Sequence, residues 1–270
     1  DFDGGSSLRV DRLIADGQVF ARDGGSLLKT THLEVDMMQE LDGRTVVSQA
    51  IADGSVEYRG KDQTSADAQK MTLKGRDERI VLTGSPARVG QGESNVIGNT
   101  ITLDGSQRTI QVDGPGSFDH TIVMEDQTQG AGASNVGHLR VDWDGSMRFD
   151  DAIGKIVCED DVHVVSTPDA LTRDTLSANR AQIKLSARPS DDPITDSQDN
   201  ENTNSIGGDP WAGGFGDGDR VLEWARFAGH APIGQDPEPV KIESRKYAID
   251  DPSLVVGLMY LEGAQVFADN

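Results

Sequence analysis

The chain is poor in the residues that would make it something other than an extended β protein. One cysteine, Cys158, excludes an internal disulfide, so no disulfide framework holds this fold. No apolar run approaches the length of a membrane-spanning helix. No stretch carries a convincing helical period; 65–69 fits a helical turn, but its alanine spacing also suits a strand. The N-terminus, Asp1-Phe2-Asp3-Gly4-Gly5, contains neither a signal peptide nor an initiator Met. It reads as an excised or partial chain whose targeting segment is missing, and the strand-like C-terminal phrase leaves room for the architecture to continue beyond Asn270. Basic residues are outnumbered: Lys plus Arg is 25 and Asp plus Glu is 46, a formal net charge of −21. Such a surface repels nucleic acid phosphates, so no nucleic acid partner is expected, and it favours solubility. Hydrophobic residues make up only 35% of the 270 residues, against 31 glycines. That balance predicts many short strands and turns around a thin core.

The run from Ile80 to Asp104, IVLTGSPARVGQGESNVIGNTITLD, shows what is present. Ile80 and Leu82 alternate with Val81 and Thr83, then Gly84-Ser85-Pro86 intervenes. Ala87 and Val89 make a second short strand, closed by Gly90-Gln91-Gly92. Val96-Ile97, Gly98, Ile101 and Leu103 supply a third. Period-two apolar spacing between Gly and Pro breaks predicts half-buried antiparallel strands.

A related phrase recurs along the chain. Ile14-Ala15-Asp16-Gly17-Gln18-Val19 and Ile51-Ala52-Asp53-Gly54-Ser55-Val56 are nearly identical. Looser copies surround Gly84 and Gly114. Val157 to Val162 keeps the apolar frame without the glycine, and Leu261 to Val266 closes the series. The first four glycines are separated by 37, 30 and 30 residues, which predicts stacked supersecondary units that bury their apolar faces on neighbours. Asp42-Gly43, Asp104-Gly105 and Asp144-Gly145 read as hairpin turns. The segment 186–220 is rich in Asp, Asn, Gly, Ser and Pro and nearly devoid of aliphatics, so it reads as a flexible acidic insertion. The expected organisation is therefore 1–185 as β-repeats, 186–220 as the insertion, and 221–270 as a continuation or a second repeat domain.

No constellation points to catalysis, a metal or a cofactor. His32, His120, His138, His163 and His230 lack metal-ligand spacing, and no HExxH, CxxC, G-x-S-x-G or P-loop occurs. The acidic neighbours Glu159-Asp160-Asp161 argue against Cys158 as a nucleophile. Asp142-Trp143-Asp144-Gly145 and Gly216-Asp217-Gly218-Asp219 are fragments of calcium-loop patterns that turn chemistry explains better. Asp150-Asp151 would point to opposite faces of a strand, and Trp143, Trp211 and Trp224 are too scattered for a sugar-binding stripe.

The stretch SADAQKMTLKGRDERIVLTGSPARVGQGESNVIGNTITLD resembles the OstA/LptA-like family of lipopolysaccharide-transport proteins. The resemblance lies in Ala66 and Ala68, Met71 and Leu73, Leu82-Gly84-Pro86, and Ile97-Gly98-Ile101-Leu103. It is good over Ala50 to Phe118 and diffuse elsewhere, with a weak echo over Leu176 to Leu185. It implies an all-β fold, a twisted open antiparallel β-jellyroll whose inner faces form an apolar groove. It implies a non-catalytic periplasmic envelope protein that holds lipopolysaccharide or other lipid acyl chains. It also implies edge-to-edge strand contacts with itself or with other envelope transport proteins. On this reading the lipid-binding positions are Met71, Leu73, Ile80, Leu82, Val89, Ile101, Leu103, Ile110 and Val112. The same period-two face also suits a closed, dry core in a structural or adhesive β-repeat protein. A carbohydrate-active β-solenoid enzyme is the third reading, without a catalytic set to support it.

Overall fold

The computed structural model describes residues 10–41, 43–60, 63–75, 77–125, 134–169, 171–187, 220–229, 239–247, 255–263 and 265–269. Among them there is no helix. The strands are β1 (Arg12–Asp23), β2 (Ser26–Gln39), β3 (Thr45–Arg59), β4 (Thr64–Lys74), β5 (Arg79–Gln91), β6 (Ser94–Asp104), β7 (Thr109–Glu125) and β8 (Ser134–Trp143). They continue with β9 (Ser146–Asp150), β10 (Lys155–Asp169), β11 (Thr172–Ala187), β12 (Arg220–Ala228), β13 (Val240–Tyr247), β14 (Val255–Gly263) and β15 (Gln265–Asp269). All belong to one sheet, and β1 to β8 follow one another in sequence order. The pairings between these strands are antiparallel, as short hairpin connections require. The fold is all-β, as expected. The stretch at 65–69 lies inside β4. The region read as an acidic insertion lies outside the described residues over 188–219, with β11 ending at Ala187 and β12 starting at Arg220.

The recurring glycine phrase has a different role from the one its sequence suggests. The first five copies do not separate strands; they interrupt them in the middle, while at the last β14 ends at Gly263 and β15 begins at Gln265. The register slips between Asp16 and Val19 on β1, Asp53 and Val56 on β3, Thr83 and Ala87 on β5, and Gly98 and Thr100 on β6. These slips lie side by side and form a fold line across the sheet. Gly17, Gly54 and Gly114 sit on it with φ of 101°, 76° and 86°, conformations an L side chain rarely adopts. The copy without a glycine uses Asp160 and Asp161 instead, at φ 64° and 46°. Residues 79–91 thus form one strand, not two, because a bulge absorbs Gly84-Ser85-Pro86 without ending the ladder. The spacing of about thirty residues is a hairpin: down one strand, back along the next.

Asp144-Gly145 also departs from expectation. It is not a hairpin turn. β8 and β9 run in the same direction and both pair with β7 and β10, so they are two parts of one strand broken at the fold line. Gly145 N–H donates to the Glu159 carbonyl at 3.1 Å and Asp144 N–H to that of Asp160 at 2.8 Å, which holds the break in place.

The fold line divides the sheet into two arms. The first contains 79–83 and its neighbours, the second 87–91 and its neighbours. Their inner faces share one hydrophobic cluster. At the line itself Val112 of the first arm lies directly over the Cα of Gly98 of the second. The outer face carries the charge. Lys29–Glu57 (3.0 Å), Arg59–Asp67 (3.2 Å) and Arg180–Glu159 (3.3 Å) are cross-strand pairs there, each exposed and each contributing no more than about 1 kcal/mol. An exception lies at a strand end, where the buried Asp151 carboxylate accepts from the Arg108 guanidinium.

Candidate functional site

Strand register turns the period-two pattern into continuous rows. In the first arm one row runs Ala15, Leu33, Ala52, Met71, Leu82, Ile101, Val112, Met147, Cys158, Ala181 and Phe227. The adjacent row runs Leu13, Val35, Ala50, Leu73, Ile80, Leu103, Ile110, Phe149, Ile156, Ile183 and Ala225. The second arm has a matching row through Ala21, Leu28, Tyr58, Ala66, Val89, Val96, Phe118, Val141, Val164, Leu176 and Ile242. Facing side chains in such rows are cross-strand neighbours on one face, so each row is an unbroken apolar strip.

Eight of the nine sequence-selected positions fall in the two rows of the first arm, and Val89 falls in the second. Leu82, Ile101 and Val112 are fully buried, Met71, Ile80, Val89, Leu103 and Ile110 nearly so, and Leu73 is partly buried. Burial of one such side chain contributes about 1.5–3 kcal/mol. Sequence reasoning missed the partners on β8 to β12: Val141, Trp143, Met147, Phe149, Ile156, Ile183 and Phe227. The alternation in Leu139, Val141 and Trp143, and in Met147 and Phe149, carried that signal. It was obscured by reading Asp142 to Gly145 as a loop fragment. Asp142 is instead on the outer face, accepting from Arg140 at 2.7 Å, a bond that raises the Arg140 pKa.

Beyond the apolar rows, the second arm has a largely polar rim on its inner face: Thr64, Gln91, Ser94, His120, Ser166 and Asp174, with Leu139 between His120 and Ser166. His120 Nδ1 lies 2.8 Å from Ser94 Oγ, and its ring stacks on Phe118 with centroids 6.1 Å apart. Burial pushes the His120 pKa down, and Glu93 offsets this in part. Gln91 Oε1 and Asp174 Oδ1 are buried without a hydrogen-bond partner. Cys158 is fully buried in the first-arm row; burial, then the Glu159 charge, pushes its thiol up to about 12. That is the pKa of an inert packing residue.

What these residues make is a creased antiparallel sheet with an apolar lining and an acidic exterior, a fold class suited to holding hydrocarbon or to packing against itself. Residues 6–109 match the sequence model of the family described as LptA/(LptD N-terminal domain) LPS transport protein. That match supports the resemblance to the OstA/LptA-like family and reaches further toward the N-terminus than Ala50 to Phe118. Among solved structures, the chain is similar to LptH of Pseudomonas aeruginosa, titled the LptA homologous periplasmic component of the lipopolysaccharide transport device. The identity is 16%, covering 45% of this chain and 75% of that one, with a TM-score of 0.35. No curated protein matches the chain.

Proposed function

We propose that this chain is a non-catalytic protein of the lipopolysaccharide-transport type, working in the periplasm and holding lipid acyl chains between the two arms. The observation that carries the reading is the pair of first-arm rows, in which no carboxylate, amine or imidazole interrupts the inner face from β1 to β12. The family match over 6–109 supports it. Each methylene moved from water onto such a face gains about 0.8 kcal/mol, so the tails need no charged anchor. The net charge of −21 disfavours an anionic headgroup on the outer surface. Headgroups therefore stay at the mouth between the arms or are bridged by cations.

Met71, Leu73, Ile80, Leu82, Val89, Ile101, Leu103, Ile110 and Val112 line this space. Among the described residues β1 pairs only with β2, and its other side supplies the edge for strand addition to a second copy or to another envelope transport protein; Ile14 and Phe20 stand exposed on that strand. A second reading, a structural or adhesive β-repeat without cargo, draws on the complete burial of Leu82, Ile101 and Val112. Photo-crosslinking residues placed at Val35, Leu73, Leu82 and Leu103 in cells separate the two. Lipopolysaccharide adducts at these positions are expected. Absence of adducts at every inner position sinks the carrier role and leaves the structural one.

A further inference from the structure

The space between the arms is shut in this structure. On β3 to β6 the inner residues Ala52, Ala66, Leu82, Ala87, Val96 and Ile101 are between 0% and 1% exposed. They belong to one hydrophobic cluster that both arms share. An acyl chain has no room beside them while the arms stand as they do.

The line on which the arms meet is the least bonded part of the sheet. The register slips on it in each pairing from β1–β2 to β6–β7, and again between β10 and β11. Such a slip interrupts the ladder hydrogen bonds. Between β8 and β9 the strand itself is broken. Gly17, Gly54 and Gly114 supply backbone freedom on the line. The mouth of the second arm is also incompletely bonded. Among the described residues, the buried side-chain polar atoms without a hydrogen-bond partner are Gln91 Oε1 and Asp174 Oδ1. Both residues stand in the inner rim row of that arm, on β5 and β11. A buried acceptor left unpaired is destabilised until water reaches it.

We infer that the fold line is a hinge: the interior is closed at rest, and the second arm swings off the first to admit an acyl chain. The ladders within each arm stay paired, and the bulges and glycines of the line absorb the change in backbone angles. Opening hydrates Gln91 and Asp174, which offsets part of the apolar surface it uncovers. The closed face is the resting state of a carrier, and affinity for lipid is set by the fraction of molecules that open. This rests on the acyl-chain reading above and adds its entry step.

A reversible lock tests it. A Cβ added at Gly98 would stand 3.7 Å from the Val112 Cβ, a separation that a disulfide spans. In the full-length chain carrying Gly98→Cys, Val112→Cys and Cys158→Ala, oxidation ties β6 to β7 across the line and reduction frees them. The probe is cis-parinaric acid, whose emission rises in an apolar site. The reduced protein should bind it, and the oxidised protein should bind it about tenfold more weakly or not at all. Equal binding by the two forms overturns the hinge. In the native chain, stopped-flow rates should level off as the probe concentration rises, because opening limits them. A linear rise overturns the hinge as well. No emission from the native chain defeats the acyl-chain reading itself, and the hinge with it. Circular dichroism of both redox forms confirms that the comparison is between folded chains.

Discussion

The contact between Val112 and Gly98 fixes how closely the two arms approach, and it can be measured as a coupling. Gly98 has ordinary backbone angles, so Gly98→Ala brings no conformational strain of its own. Its new Cβ would fall well inside the contact distance of Val112 Cγ1, while the next nearest atom, the Pro115 carbonyl oxygen, is 3.7 Å away. Val112 is fully buried and has nowhere to retreat. Overpacking of this kind costs about 1–3 kcal/mol. The Gly→Ala change returns about 0.4–1 kcal/mol by restricting the unfolded chain. The net loss is therefore about 1–2 kcal/mol. Val112→Ala removes two buried methyl groups and leaves a cavity, a loss of about 2 kcal/mol from transfer alone at about 0.8 per carbon, with the cavity term added. In the double variant the methyl added at position 98 moves into the volume that Cγ1 vacated. The clash disappears and the cavity is partly refilled. Urea unfolding followed by circular dichroism should then give the double variant a loss no greater than that of Val112→Ala. Agreement of the double variant with the sum of the singles, to within about 0.5 kcal/mol, would refute the contact and the closeness of the arms with it.

Two further outcomes follow from burial. Cys158, with its thiol pushed up to about 12, should resist a disulfide reagent in the native protein and react at once in urea; rapid native reaction would show that the first-arm row is open to water. His120 has its pKa lowered in the folded state, so the unfolded chain binds the proton first as pH falls. Stability should therefore drop as pH falls from the unfolded-state value near 6.5 toward the lower folded value, then level off. His120→Gln should flatten that slope in pH-dependent urea midpoints, and an unchanged slope would assign it elsewhere.

The alternation of Met71, Leu73, Ile80, Leu82, Ile101 and Leu103 was readable in the sequence because a strand has a side-chain period of two. A face with one buried side writes itself directly into the residue order. What could not be read was the fold line. Gly54 and Gly84 look like strand ends because glycine most often stands in turns. A bulge in the middle of a long strand uses the same residue, at Gly54 for the same conformational freedom. Asp160 and Asp161 hide the line further, since they adopt the same region of φ with no glycine present. Asp144-Gly145 misled in the same way: a strand broken at a crease and a hairpin turn share one local chemistry. Trp143 was legible in the alternation of Leu139, Val141 and Trp143, but the turn chemistry of Asp142 to Gly145 masked it.

The fold line has a consequence for how a protein of this kind changes its reach. The first four copies of the glycine phrase lie within β1, β3, β5 and β7, 37, 30 and 30 residues apart, so each repeat is one hairpin. One hairpin adds two strands, or about 10 Å of ladder at about 4.8 Å per strand. The duplicated unit brings its own crease and its own inner residues in the right phase, so gaining or losing one disturbs no neighbour's register. Length is therefore graduated, and the molecule is a ruler whose smallest division is a single hairpin.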